Sequence, residues 1–192
     1  KVIAITAFDA GYCNNYSDPF ILALNLNVNN NIICLNKIRN SIYRHFKYTL
    51  LPPEFSNLQK DLANTAISKF MGKLILITSD GYQNSELKEL INGSWADQSK
   101  INLINFAALD PKASGDNTIK LKNEQVIKYN KNALTIVTPN VYDFFTRNYD
   151  SQYQFNAGCQ FICMNYQKRE NISEYISRFK NSSFVLKPKN LI

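Results

Sequence analysis

The amino-acid sequence predicts an α/β protein built on parallel strands. Short apolar runs alternate with segments that have helical spacing, which is the pattern of strands connected by helices. The runs are almost wholly apolar, as expected for strands that are covered on both faces. The chain has 192 residues, of which 45% are hydrophobic and 19% charged, so it is large enough to bury the core that such a fold requires.

The predicted strands are apolar runs that end at a polar residue or a proline. They cover Phe20–Leu26, Leu74–Ile77, Ile101–Ala108, Leu134–Thr138, Phe161–Cys163 and a last strand that contains Val185. The predicted helices lie between them, at Ile33–Phe46, Leu58–Phe70, Ser85–Ile91, Asn117–Asn132 and Val141–Arg147. We expect the core to contain Ile21, Leu22, Leu24, Leu74, Leu76, Ile136, Cys159, Phe161, Cys163 and Val185.

Two motifs in the second half of the chain carry a family resemblance. Asn156-Ala157-Gly158-Cys159-Gln160, followed by Asn165-Tyr166-Gln167, resembles a signature in the Y half of eukaryotic-type phosphoinositide-specific phospholipase C. Phe184-Val185-Leu186-Lys187-Pro188 resembles the Tyr-Val-Leu-Lys-Pro that closes the same half. In the first half of the chain, the strand at Phe20–Leu26 and the entry Gly72-Lys73-Leu74-Ile75 resemble strand motifs of the X half.

The resemblance implies a fold and a domain organisation. The fold would be a partial (β/α)8 barrel of the TIM type, roughly the last five β/α units of a phospholipase C-like barrel. Residues 1–97 would be the C-terminal part of the X-like half, residues 98–116 a short connector with the early Y strand, and residues 117–192 the Y-like half. An open piece of barrel leaves strand edges unpaired. We therefore expect another polypeptide to complete the barrel, either the chain's own N-terminal portion or a neighbour in an assembly.

The positions that would carry the family's chemistry hold residues that cannot perform it. Cleavage in the family needs two histidines and a calcium ion held by carboxylates and an Asn; the single histidine here, His45, matches no catalytic motif. The resemblance places a calcium-binding Glu, two phosphate-binding lysines and the Arg and aromatic residue of Arg-(Ile/Val)-Tyr-Pro on substituted positions. These positions are Asn25, Ile77 or Thr78, Ser79, Ile136 and Thr138. We therefore expect no catalytic residue, no cofactor and no metal, with calcium at Asn25 only if a site survives.

Charge and cysteine usage limit the partners and the compartment. The formal net charge is +7, carried mostly by scattered lysines, and a soluble surface with extra lysine explains it. Six lysines are candidate contacts for phosphate or an anionic membrane: Lys120, Lys122, Lys128, Lys131, Lys187 and Lys189. We expect no specific nucleic acid partner. The four cysteines lack metal-ligand spacing, and no transmembrane run or secretory signal is present, so we expect an intracellular or virion-associated protein.

The sequence therefore predicts a catalytically inactive phospholipase C-like protein, a pseudoenzyme with a structural or interaction role. Its 26 Asn, 20 Ile and 17 Lys indicate an A/T-rich genome, and we expect a protein of a large DNA virus particle. Two alternatives stay open. The chain could be half of an active phosphoinositide phospholipase C whose catalytic histidines lie on another segment or chain, or it could bind phosphoinositides or an anionic membrane surface without catalysis.

Overall fold

Two three-stranded parallel sheets organise the chain. The computed structural model describes residues 18–57, 59, 62–110, 121–139 and 148–192. These residues form two compact units. The first contains the described residues up to Lys100 together with Asn181–Phe184, and the second contains the described residues of Ile101–Lys180 together with Val185–Ile192. Parallel strands connected by helices confirm the predicted α/β fold class.

The first unit is built around β2 (Leu74–Thr78), which lies between β1 (Phe20–Leu24) and β3 (Gly93–Ser94). All five residues of β2 are buried, as predicted for a strand covered on both faces. β1 runs parallel to it, with Phe20 opposite Leu74. The sequence does not predict β3, because a strand of two residues leaves no periodic pattern.

One face of the first sheet is covered by α1 (Ile32–Phe46). The helix begins after Asn31, whose side-chain oxygen accepts a hydrogen bond of 3.1 Å from the backbone N–H of Cys34. Its apolar stripe packs against β1 and β2 in one buried cluster, as the helical spacing predicts. The buried members of the cluster are Leu35, Ile42, Phe46, Leu74, Leu76, Tyr82, Leu87 and Ile91.

The second unit repeats this arrangement around β5 (Leu134–Thr138). Its other elements are β4 (Ile101–Asn105), α2 (Asn123–Asn130), α3 (Gln152–Asn156), β6 (Phe161–Ile162) and α4 (Ile172–Arg178). β5 pairs in parallel with β4 on one side and with β6 on the other. The core of this unit contains Ile104, Leu109, Val126, Val137, Tyr149, Ala157, Cys159, Ile162, Met164 and Ile172.

Several elements are shorter than the sequence predicts. The strand predicted to reach Ala108 ends at Asn105, because the Asn105 side chain accepts a hydrogen bond of 2.9 Å from the Ala107 N–H and caps a short 3-10 turn. The helix predicted from Ser85 is a 3-10 turn at Glu86–Glu89. Ser85 does not cap it, since its hydroxyl donates to the carbonyl of Tyr82 (2.7 Å).

Two further predicted helices are shorter, and one is not described. Within Leu58–Phe70, the described residues are helical only at Ile67–Phe70, again as a 3-10 turn. The lysine-rich helix predicted at Asn117–Asn132 is α2 in its described part. The helix predicted at Val141–Arg147 lies outside the described residues.

The predicted core is partly wrong. Leu74, Leu76, Ile136 and Cys159 are buried, as predicted. Four others are only half-buried: Ile21, Leu22, Leu24 and Phe161. Cys163 and Val185 are exposed. Cys163 follows the last residue of β6, and Val185 lies in a segment to which the structure assigns no strand, so the predicted last strand is absent from the described residues.

Candidate functional site

The carboxyl end of the first sheet carries four of the substituted positions. Asn25 follows β1 directly and is exposed, whereas Ile77 and Thr78 are buried within β2. The Thr78 hydroxyl donates to the carbonyl of Leu24 (2.9 Å), and Ser79 Oγ accepts from the backbone N–H of Leu26 (2.8 Å). Both hydroxyls therefore join the ends of β1 and β2 and hold the backbone on either side of Asn25.

A carboxylate stands next to these positions. Asp80 follows Ser79, and its Oδ1 accepts hydrogen bonds from Gln83 Nε2 (2.6 Å) and from the Gly81 N–H (2.8 Å). The Gln83 bond first, and then the Gly81 bond, lower the pKa of the Asp80 carboxyl group, so it is ionised at neutral pH. A negative charge here repels phosphate, where the family resemblance calls for lysine.

The other two positions lie on β5 of the second sheet, Ile136 in the middle of the strand and Thr138 at its carboxyl end. Ile136 is buried and offers no polar atom. Thr138, the last residue of β5, is half-buried, and its hydroxyl donates to the Ile104 carbonyl on β4 (3.3 Å). Neither side chain can form the two-pronged hydrogen bond that arginine makes to phosphate.

Calcium does not fit the residues that the structure describes. A calcium site needs six to eight oxygen ligands, usually with several carboxylates. The described ranges contain no group of three or more His, Cys, Asp or Glu side chains placed to hold a metal ion. Asn25 would supply one uncharged amide oxygen. His45 is exposed on α1, as expected for a surface residue.

The amino end of the second sheet holds a buried polar network around Asn130, the last residue of α2. Asn130 Nδ2 donates to the carbonyl of Ala157 (2.9 Å) and lies 3.7 Å from Cys159 Sγ. The Thr135 hydroxyl donates to Asn130 Oδ1 (2.6 Å). Gln160 Nε2 donates to the Asn130 carbonyl (3.1 Å), while its Oε1 accepts from the Thr135 N–H (2.9 Å). The network joins α2, β5 and the entry to β6, and we call it the Asn130 network.

The segment before β6 is shaped to meet Asn130. Gly158 has φ = +74°, the left-handed conformation that favours glycine after a helix. This turn lets the Cys159 N–H donate to the carbonyl of Gln154 in α3 (3.0 Å). Burial raises the pKa of the Cys159 thiol to about 12, so it is a protonated packing group at neutral pH, as predicted for this cysteine.

A second set of hydrogen bonds fixes the loop after β6. Asn148 Oδ1 accepts from the backbone N–H of Asn165 (2.7 Å), and Asn148 Nδ2 donates to the Asn165 carbonyl (2.9 Å). The Tyr149 hydroxyl donates to the Cys163 carbonyl (2.8 Å), and its ring stacks on Phe106 with the centroids 4.7 Å apart. The Asn148 side chain therefore fixes the backbone at Asn165, after the end of β6.

The six candidate lysines do not share one role. Lys187 Nζ donates to the Asn130 carbonyl (3.0 Å), and Lys131 Nζ donates to the Ile192 carbonyl (2.9 Å), so both bonds join Val185–Ile192 to the end of α2 within the second unit. The exposed ones are Lys122, Lys128, Lys131 and Lys189, and Lys120 lies outside the described residues.

Comparison with known proteins decides the family. A family model described as phosphatidylinositol-specific phospholipase C, Y domain, matches residues 91–190, just over half of the chain. The chain belongs to this Y-domain family. Phosphodiesterase eta-1, a 1-phosphatidylinositol 4,5-bisphosphate phosphodiesterase, is 32% identical to the chain over 78 residues in Mus musculus and over 77 residues in Homo sapiens. Each match covers 38% of this chain, but only 5% of the mouse protein and 4% of the human one.

The residues of the Y-domain signature lie around Asn130. Asn156 to Gln160 form the turn that binds Asn130, and Lys187 of the closing motif donates to the same residue. Sequence reasoning missed Asn130 because a polar residue in a lysine-rich helix gives no signal of burial. It also missed Asp80, whose signal was its position two residues after a buried strand. No helix among the described residues is long and apolar enough to cross a membrane.

Proposed function

We propose that the chain is a phospholipase C-like barrel domain that does not cleave phosphoinositides and serves a structural or interaction role. The partial barrel is supported by the order of the strands, because each sheet contains consecutive strands that all run parallel. Association with a virus particle stays a prediction from composition.

The proposed inactivity is supported by the hydrogen bonds and the charge at the carboxyl ends of the strands. The hydroxyls of Thr78 and Ser79 are bonded to the backbone, and the ionised Asp80 stands beside them. Transition-state stabilisation of phosphodiester cleavage requires cations aimed at developing negative charge. In the first unit, the described carboxyl ends of the strands present the opposite charge, at Asp80. In the second unit, neither of the two substituted positions on β5, the apolar Ile136 and Thr138, is a cation.

A hydrolysis assay tests this proposal. We expect the chain to release no inositol phosphate from vesicles that contain phosphatidylinositol 4,5-bisphosphate, with or without calcium. The substrate is taken from the name of the relatives, and a buffer blank gives the baseline. Calcium-dependent release that Asn25→Ala abolishes would contradict the proposal. Asn27→Ala is the matched control, because Asn27 is also exposed and lies two residues further along the same segment.

The interaction role is supported by the edge of β1. Among the described residues, β1 pairs only with β2, so the other edge of Ile21–Leu24 has no strand partner within this part of the chain. Phe20–Leu24 contains none of the lysines or prolines that protect a free edge. We propose that another polypeptide pairs along this edge, either the chain's own N-terminal portion or a neighbour in an assembly.

Sedimentation of the isolated chain tests the proposed partner. We expect self-association or aggregation, and we expect Ala23→Lys to reduce it, because a lysine in an edge strand disfavours pairing. Ala23 is exposed, so the substitution leaves the core intact. A monodisperse monomer of 22.0 kDa with a cooperative thermal transition would contradict the proposal.

A further inference from the structure

The amino end of the first sheet carries a surface that the proposed function does not use. It lies where α1 ends and β2 begins, and its members are cationic, aromatic or apolar side chains that are exposed or half-buried. We call it the basic aromatic surface; it consists of Tyr43, Lys47, Tyr48, Lys69, Met71 and Lys73. The most exposed aromatic member is Tyr48, at 82%.

Direct contacts join three of these residues, Lys47, Tyr48 and Lys73. The Lys47 ammonium lies 4.5 Å from the centroid of the Tyr48 ring, and Lys73 Nζ donates to the Tyr48 carbonyl (3.4 Å). The Leu74 N–H donates to the Thr49 carbonyl (2.7 Å), which ties this segment to the start of β2. The surface therefore has a fixed backbone beneath it.

The charge of this region is strongly unbalanced. The described residues from Lys37 to Lys73 contain six Lys or Arg side chains but a single acid, Glu54. The cations are Lys37, Arg39, Arg44, Lys47, Lys69 and Lys73. Arg39 is compensated, since it lies 3.8 Å from Glu86 and 3.9 Å from Glu89. Three of the remaining five, Lys47, Lys69 and Lys73, belong to the basic aromatic surface, which contains no acidic residue and is therefore complementary to an anionic partner.

Exposed aliphatic side chains lie among the cations. They distinguish between two anionic partners, a lipid bilayer and a single-stranded nucleic acid. Ile67 is 44% exposed and Met71 is 39% exposed, on either side of Lys69. Such groups enter the boundary between headgroups and acyl chains, but they give a nucleic acid base nothing to stack on. Tyr43 and Tyr48 already carry cations on their rings, Arg39 at 4.9 Å and Lys47 at 4.5 Å. The surface therefore fits a lipid bilayer better than single-stranded nucleic acid.

We propose that the basic aromatic surface docks the chain peripherally on an anionic lipid bilayer. The lysines neutralise headgroup charge while Tyr48 and Met71 enter the interface. β1 and β2 run away from this surface, so docking points the carboxyl end of the first sheet, with Asn25 and Asp80, away from the lipid. The docking is therefore independent of hydrolysis and goes beyond the proposed function.

Vesicle co-sedimentation tests the docking. We expect the chain to sediment with phosphatidylcholine vesicles that contain phosphatidylserine, to stay in solution with phosphatidylcholine alone, and to be released by salt. Lys47→Glu with Lys69→Glu should weaken binding by about thirtyfold or more, given the usual contribution of each basic residue near an anionic membrane. Tyr48→Ala should weaken vesicle binding at unchanged net charge. Because the Tyr48 side chain is exposed, we expect this variant to fold, so it tests the proposal even if the double variant does not fold.

Two control variants carry the same change in net charge. Lys88→Glu with Lys168→Glu, at exposed positions outside the surface, should leave most of the binding intact. Lys122→Glu with Lys128→Glu tests the rival location on the second unit. The proposal is overturned if phosphatidylserine does not increase binding of the wild-type chain to vesicles. It is also overturned if the Lys88/Lys168 control loses as much vesicle binding as the Lys47/Lys69 variant, or if only the Lys122/Lys128 variant loses vesicle binding. Binding to a single-stranded oligonucleotide in place of vesicles would overturn it as well.

Discussion

The two ends of the second sheet differ in their hydrogen bonding. At the amino end, Asn130, Thr135 and Gln160 join α2, β5 and the entry to β6 through hydrogen bonds of 2.6–3.1 Å. At the carboxyl end, Thr138 is half-buried and makes one longer bond of 3.3 Å to β4. One end is a polar network with mutual partners, whereas at the other end the Thr138 hydroxyl makes a single weaker bond to a backbone carbonyl.

This difference shows at which end of the second sheet the family signature acts. The residues that identify the Y domain, from Asn156 to Gln160 and at Lys187, bind the Asn130 network at the amino end. Buried polar networks of this kind are costly to break, because each lost partner leaves a desolvated group. The signature therefore predicts the fold, because its residues hold the amino end of the second sheet together.

Removing the centre of the Asn130 network should have the largest effect. Asn130→Ala leaves the Thr135 hydroxyl and the Ala157 carbonyl without their partner, and we expect it to lower the free energy of unfolding by about 3 kcal/mol. Asn123→Ala, at the exposed start of the same helix, is the matched control and should change it by less than about 0.5 kcal/mol. Denaturant titration measures both free energies of unfolding. Equal losses would show that the Asn130 network contributes no more to stability than an exposed helix residue.

How far the sequence reveals these features depends on the length of the pattern that encodes them. The five-residue strands β2 and β5 and the helix α1 are predictable because their apolar spacing extends over whole elements. The two-residue β3 and the capping of a 3-10 turn by Asn105 depend on single contacts that no pattern announces. The exposure of Val185 shows the same limit, since an apolar run in a family motif indicates a strand but does not supply its partner.

A pair of substitutions on β5 tests the difference between the two ends of the strand, with a smaller expected effect. Thr135→Val removes a donor that is fully buried and bonded to Asn130, and we expect a loss of about 2 kcal/mol. Thr138→Val removes the longer bond to Ile104 at a half-buried position, and we expect less than about 0.5 kcal/mol. Both changes replace a hydroxyl by a methyl group on β5, so equal losses by thermal unfolding would show that the two ends do not differ.

The smallest effect is expected at the carboxyl ends of the strands, where we expect no binding of phosphate. Isothermal titration with the soluble headgroup of phosphatidylinositol 4,5-bisphosphate, in the presence of calcium, measures this binding directly. The titration is best made with the Lys47→Glu, Lys69→Glu variant, so that the basic aromatic surface does not contribute. We expect no saturable heat. Saturable, calcium-dependent binding that is lost in Asn25→Ala and kept in Asn27→Ala would contradict the account.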